Sequence, residues 1–296
     1  MERLPFELEA DLSGRAWPIA GNVYVPSCDE RTVPVIALAH GWLAHRGQGF
    51  LPSLAEAFAR AGFVAVTFNF SGSGYAAGSR DLTDEARFGA NTFAREIDDV
   101  ERVVTAIFER VLPGRERFDI YRIGLCGHDA GASVALIEAA RDSRVKAVAG
   151  LATLPRLAAA LEPGAFDEWL SRGEHRLVDP ASGRRLTVGR DLFRDLRERA
   201  AAPEDASPPV DVGPAARALS VPYLLVQGEA DERVSVDDAR KLYFAGNAGA
   251  ELELLAGAGH ELQAAEGDAL APAAQVAALR FFDKALRAEE RRGAPT

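Results

Sequence analysis

Short apolar runs that alternate with amphipathic stretches constrain this chain more than anything else in it. Pro34 to Ala39 (PVIALA), Phe63 to Phe68 (FVAVTF), Asp119 to Cys126, Val145 to Leu151, Pro222 to Gln227 and Glu251 to Leu255 each have the length of a strand. The continuous apolar character of PVIALA and FVAVTF is what a strand covered on both faces requires. Helical spacings lie between them: Leu51 to Ala61, stopped by Gly62; Thr92 to Leu112, ended by Pro113-Gly114; Ala130 to Arg141; Val236 to Gly246; and Ala271 to Leu286. This order predicts an α/β fold with a mostly parallel central sheet and helices on both faces. Ahead of it, Phe6 to Leu12 and Ala16 to Val25 are expected to pair as antiparallel strands about Ser13-Gly14.

The alternation stops after Leu151. Segment 152–217 holds amphipathic pieces (Phe166 to Ser171, Asp191 to Ala201), the turns Asp179-Pro180 and Ser182-Gly183, and a Pro-rich stretch from Ala206 to Pro214. It is read as a small cap insertion over the sheet. Residues 1–151 and 218–296 then form one core domain, a size α/β units often reach. Arg287 to Arg292, a mixed run of acidic and basic residues, is expected to be a solvated tail.

Composition excludes several partners. The formal net charge is −10, so no basic excess exists to neutralise nucleic-acid phosphates or to hold an anionic membrane. No apolar stretch approaches the roughly 18–20 residues of a membrane span. Met1 to Ala10 lacks the basic and apolar regions of a signal peptide. The two cysteines, Cys28 and Cys126, have neither metal-ligand spacing nor an evident disulfide partnership. These features point to a cytoplasmic protein acting on a small molecule. No cofactor or metal motif is present, and the oligomeric state is left open, with a homodimer among the options.

Chemistry-bearing residues follow the strands. His40, Asp129, Asp231 and His260 each come just after a predicted strand, the edge where parallel sheets bind ligands. Gly127-His128-Asp129-Ala130-Gly131 has the form G-x-nucleophile-x-G between a strand and a helix. Small residues on either side let the backbone turn tightly and thrust the central side chain forward. Free N–H groups at the helix start favour a negative charge there. An aspartate N-cap at the surface would satisfy the local pattern equally; three further segments in register favour the turn.

Those segments, His40-Gly41-Trp42, Gly228 to Val234 (GEADERV) and Gly257 to Leu262 (GAGHEL), together with the elbow, resemble the α/β-hydrolase superfamily. Leu38 to Asp99, with FNFSGSG and NTFAREIDDV, is similar to its dienelactone-hydrolase-like and BEM46-like branch. The likeness covers roughly residues 33–285. That branch carries serine or cysteine at the elbow. An aspartate there is similar instead to epoxide hydrolases and haloalkane or haloacid dehalogenases of the same superfamily.

The resemblance implies an α/β-hydrolase fold and a triad of Asp129 as nucleophile, His260 as base and Asp231 as its acid, with Glu229 and Glu232 as rival acids. It implies an oxyanion hole from the N–H groups of Trp42 and Ala130. Trp42, Tyr75, Trp169 and His175 are candidates for substrate contact. His128 is expected to pack or hydrogen-bond beside the nucleophile, and His45 and His175 are otherwise read as surface residues. A carboxylate attacking an acyl carbon would form a high-energy anhydride, so it suits an sp³ carbon, as in an epoxide or a carbon–halogen bond. No tyrosine lies in 152–217 to assist epoxide opening in the usual way. The alternatives are a hydrolase fold altered to bind ligand without turnover, and an esterase or lactonase of dienelactone-hydrolase type.

Overall fold

The computed structural model describes residues 1–10, 17–76, 81–179, 183–200, 212–263 and 272–293. Strands β1 (Glu2–Leu8) and β2 (Ile19–Val25) lead, followed by β3 (Val33–Ala39), helix α1 (Leu51–Arg60) and β4 (Val64–Phe68). Next come α2 (Glu85–Gly89), α3 (Phe93–Phe108), β5 (Phe118–His128), α4 (Ala130–Arg141) and β6 (Val145–Leu151). Then follow α5 (Ala165–Arg172), β7 (His175–Val178), β8 (Arg185–Val188), α6 (Arg190–Ala200) and α7 (Val212–Ala218). The chain closes with β9 (Tyr223–Gly228), α8 (Val236–Ala245), β10 (Ala250–Leu255) and α9 (Pro272–Gly293).

Eight strands form one sheet in the order β1-β2-β4-β3-β5-β6-β9-β10. From β4 to β10 every pairing is parallel, whereas β2 runs antiparallel to both β1 and β4. β3 is buried at every position, as its unbroken apolar run requires. Two core clusters cover the two faces. One gathers α1 and α9 through Leu54, Phe58, Ala278 and Phe282. The other gathers α3, α4, α7 and α8 through Ile97, Val134, Ala215 and Leu242. Thr92 caps α3 by accepting from the Arg95 N–H, which fixes where that helix starts. Among the described residues no helix is long and apolar enough to cross a membrane.

Several local expectations are corrected. The first hairpin pairs Glu2–Leu8 with Ile19–Val25, and its Ser13-Gly14 turn lies outside the described residues. α3 stops at Phe108, not Leu112, and Arg110 turns with φ of 57°. Arg287 to Arg292 continue α9 as helix. In 152–217, where turns alone are expected around Asp179-Pro180 and Ser182-Gly183, β7 and β8 form an antiparallel hairpin; Pro180 and Ser182 fall outside the described residues. Of the Pro-rich stretch, 206–211 is undescribed, but Val212 to Pro214 open α7, where proline in the first turn loses no helix hydrogen bond.

α7 packs on α4 and α8 with the core. The earlier part of the insertion is tied down elsewhere. Asp195 of α6 accepts from the Ala94 N–H at the start of α3 (3.0 Å), Gly189 N–H donates to the Gly89 carbonyl (2.9 Å), and Arg184 pairs with Glu85. A carboxylate on a helix N-terminus is well placed for the helix dipole.

Candidate active site

β5 delivers Asp129 through a turn that few residues tolerate. Its φ of 55° and ψ of −124° lie outside the usual regions for a side chain other than glycine. The crowding around it explains the two glycines. A Cβ on Gly127 would lie 2.3 Å from the Gly131 carbonyl oxygen, and one on Gly131 would lie 2.2 Å from the His40 carbonyl oxygen. Gly131→Ala is therefore expected to destabilise the fold by about 2–3 kcal/mol, the scale of a forced overlap in a packed interior. A thermal melt indistinguishable from the parent protein would contradict this close approach.

Asp129, Asp231 and His260 converge at the carboxyl edge of the sheet, after β5, β9 and β10. His260 Nε2 lies 3.2 Å from Asp129 Oδ1, and its Nδ1 lies 2.9 Å from Asp231 Oδ2. Asp231 is pinned from behind. It accepts from the Arg233 N–H (2.8 Å), the Val234 N–H (2.9 Å) and Gln227 Nε2 (2.8 Å). The rival acids Glu229 and Glu232 are both exposed, and neither is bonded to the imidazole.

The other oxygen of Asp129 is also engaged. Oδ2 accepts from the backbone N–H of Trp42 at 2.8 Å. The Ala130 N–H, the other donor expected of the anion hole, makes no hydrogen bond to this carboxylate among the described residues. His40 braces the turn that carries Trp42. Its Nδ1 donates to the Gly41 carbonyl (2.9 Å) and its Nε2 accepts from the Phe70 N–H (3.1 Å). Burial holds His40 down to about 4, so this tautomer stays neutral. The indole of Trp42 packs on Phe88 and Phe93.

Charge balance ties the three groups together. Burial opposes a charge on His260, but the hydrogen bonds it donates to Asp129 and Asp231, with their negative charge, outweigh it and raise the imidazole to about 9. Burial likewise opposes the Asp231 anion, and the bonds from His260 and Val234 lower it to about 2. Asp129 is lowered too: burial acts against it, and His260, Arg233 and His128 prevail. At neutral pH the site is an imidazolium between two carboxylates.

Raising His260 from 6.5 to about 9 corresponds to stability on the order of 3 kcal/mol. It is complete below about pH 6.5 and lost as pH rises through about 9. Asp129→Asn removes one of the two anions, so NMR titration of His260 in that variant should give a pKa well below that of the parent. An unchanged value would show that Asp129 does not sustain the imidazolium.

The remaining predicted residues separate. Trp42 and His175 line a pocket of about 640 Å³ together with Leu43, Leu161, Leu177 and Arg233. Tyr75 does not line it; its ring packs on His45 at 4.7 Å and its backbone bridges to Leu82. Trp169 does not line it either. It stacks on Phe193 at 5.1 Å and so fastens α5 to α6. His45 and His175, expected at the surface, are both buried. Tyr75 covers the first, and the second bonds Glu168 through Nδ1 at 2.6 Å.

His128 takes the hydrogen-bonding role open to it beside the nucleophile: its Nε2 hydrogen-bonds the His260 carbonyl at 3.1 Å, joining the elbow to the histidine loop. One group among the described residues has donors close enough for a metal ion, His128, His260 and Glu261 within 4.8 Å. Both ring nitrogens of His260 already face carboxylates, so a cation there would have to displace the Asp129–His260–Asp231 contacts.

Arg233 was missed from the sequence. Its Nη2 lies 3.6 Å from Asp129 Oδ1 and donates to the Ala160 carbonyl at 3.1 Å. The available signal was its place two residues after an acid pinned in a tight turn.

Comparison with known proteins adds the family. The sequence model described as Alpha/beta hydrolase family matches residues 36–278. An uncharacterized 31.7 kDa protein from the traX-finO intergenic region of Escherichia coli is 33% identical over 115 residues, which are 39% of this chain and 35% of that protein. The chain thus matches about a third of that relative's length. Among solved structures, the alpha/beta hydrolase GrgF from Penicillium superposes with a TM-score of 0.69 at 20% identity, over 97% of this chain and 100% of that one. A dienelactone hydrolase from Anabaena variabilis superposes with a TM-score of 0.60 at 16% identity, over 96% and 99%. At these identities the superpositions speak to the fold alone.

Proposed function

Since this chain belongs to the alpha/beta hydrolase family, we propose that it hydrolyses a small organic substrate at an sp³ carbon, through an alkyl ester on Asp129. The observation that carries this reading is the Trp42 N–H on Asp129 Oδ2. In a serine enzyme the anion hole waits for an oxygen of the substrate. Here the nucleophile's own second oxygen fills it. That arrangement suits a reaction whose tetrahedral intermediate forms on Asp129 itself.

In the first step Oδ1 attacks carbon, the new C–O bond forms, and the leaving group departs with its bonding pair. Esterification removes the charge on Asp129, so His260 loses one of its two anions and releases its extra proton. In the second step neutral His260 takes a proton from water as the oxygen of that water adds to Cγ. Negative charge develops on Oδ2, facing the Trp42 N–H. Collapse expels the product as an alcohol, protonated by His260. The regenerated carboxylic acid passes its proton to His260 and restores the resting pair. Asp231 holds the ring in place and balances its charge.

A leaving group that departs as a stable anion fits better than an epoxide oxygen. Tyr75 stands outside the pocket, and segment 152–217 holds no tyrosine to protonate an alkoxide. Ester cleavage fits less well, because the hole an ester carbonyl would need is occupied. Two unpaired cysteines, Cys126 buried, support a reducing, cytosolic setting. The test is a panel of haloacids, haloalkanes, epoxides, lactones and aryl esters, followed by a single turnover of any active substrate in ¹⁸O-water. The first-turnover product should carry unlabelled oxygen and the Asp129 peptide should gain label. Label entering the first product directly would overturn the ester intermediate.

A further inference from the structure

We propose that the pocket beside Asp129 recognises a substrate carrying a carboxylate, and that Arg233 is the residue that grips it. The proposal gives a substrate class to the site described above; its binding part does not depend on any turnover there.

Beside the His260 imidazolium at 3.2 Å, Arg233 places a second cation on the nucleophile oxygen, with Nη2 3.6 Å from Asp129 Oδ1. It is held in that place by the Ala160 carbonyl at 3.1 Å. A guanidinium has five N–H donors in a fixed fork, suited to a carboxylate on two oxygens at once. Both of these contacts are made by Nη2, which leaves the rest of the fork open, and the side chain is 36% exposed along the wall of the pocket.

Trp42, Leu43, Leu161 and Leu177 make the rest of the wall largely apolar. A second polar group lines it as well. His175 is 5% exposed, is bonded to Glu168 through Nδ1, and leaves Nε2 without a hydrogen-bond partner. The two acidic residues on the lining, Glu162 and Glu232, are solvent-exposed, where water screens them.

Chemistry explains why a cation belongs at this point. An anionic nucleophile attacking a carbon next to a carboxylate meets a like charge within a few bond lengths. Without compensation that approach is repelled, and the desolvated pocket makes the repulsion worse. A guanidinium within ion-pair reach of the attacking oxygen can bind the substrate carboxylate beside it and cancel the repulsion. A neutral substrate would need no such group, and the arginine would only hold back the nucleophile by pairing with it.

The experiment measures binding without turnover. Propanoate and propanamide, equal in shape and different in charge, are titrated into the full-length Asp129→Asn protein by calorimetry or ligand-observed NMR. That variant frees Arg233 from its anionic neighbour. Propanoate should bind at least tenfold more tightly than propanamide, and more tightly than it binds to the parent protein. Adding Arg233→Met should erase the preference with little change in propanamide binding, and Arg233→Lys should restore part of it. Equal binding of the two probes, no binding of either by a protein whose melt shows it folded, or a preference that survives Arg233→Met would each overturn the proposal. The ester intermediate is judged separately by the isotope label, so failure of one reading is not failure of the other.

Discussion

His260→Gln is expected to leave a protein that reacts once and then stops. The first step asks only for an ionised Asp129. The Trp42 N–H at 2.8 Å and the Arg233 guanidinium at 3.6 Å remain to hold that charge. Glutamine keeps a donor where the imidazole stood, so Asp231 is not left wholly unpaired. What it cannot do is accept a proton from water. Loss of a general base costs about 10²–10⁴-fold, and here the loss falls on ester hydrolysis alone. Incubation with a true substrate should leave a covalent adduct on the peptide containing Asp129, visible by mass spectrometry, while steady-state turnover collapses. Normal turnover with no adduct would exclude the two-step scheme.

Much of the frame behind that prediction can be read from the chain because parallel strands are buried on both faces. Val145 to Leu151 and Ala130 to Arg141 appear in the structure with the bounds their apolar spacing and flanking turns suggest. The four loop residues, His40, Asp129, Asp231 and His260, could be placed at one edge because strand direction in such a sheet is not free. What escaped depends on pairs that no local pattern records. β7 and β8 have four residues each, with alternating burial and Arg176, Val178, Arg185 and Thr187 at the outer positions. Such a hairpin exists because its apolar side, Leu177, Leu186 and Val188, meets the core cluster.

The burial of His175 is decided by Glu168, seven residues earlier on α5, and that of His45 by Tyr75 across a loop. Neither contact has a spacing signature. Arg233 is hidden differently. Its neighbours Asp231 and Val234 are the informative letters of their segment, and an arginine between them reads as surface charge. Only the pinning of Asp231 by the N–H groups of Arg233 and Val234 turns that side chain back toward Asp129. The same holds for the occupied anion hole. The sequence suggests Trp42 and Ala130 as donors, but which oxygen they face follows from the second oxygen that aspartate has and serine lacks.

That second oxygen sets the outcome of Asp129→Ser. A serine hydroxyl reaches toward His260 but leaves nothing at the position of Oδ2, so the Trp42 N–H becomes free to receive the carbonyl oxygen of an ester. The Ala130 N–H, which makes no hydrogen bond to the carboxylate, stands at the start of α4 as a second donor. The electrostatics change in the same direction. With Asp129 gone, His260 keeps only Asp231 as an anion, and its pKa falls from about 9 toward a value at which it is neutral and basic near pH 7. Asp231 stays ionised, because its bonds to Val234 and Gln227 do not involve Asp129. Nucleophile, base, acid and a vacant hole are then all in place for acyl transfer. One oxyanion donor is worth about 10²–10³ in rate, and kcat/KM on short aryl esters should rise above the parent protein by at least that much. The gain should disappear when His260→Ala is added, since a hydroxyl without a base is a poor nucleophile. Arg233 loses its partner at 3.6 Å in this variant, so esters bearing a free carboxylate should be cleaved faster than neutral ones of the same size. If the parent protein already cleaves aryl esters well and the serine variant does not, Asp129 is not what turns this site away from acyl chemistry.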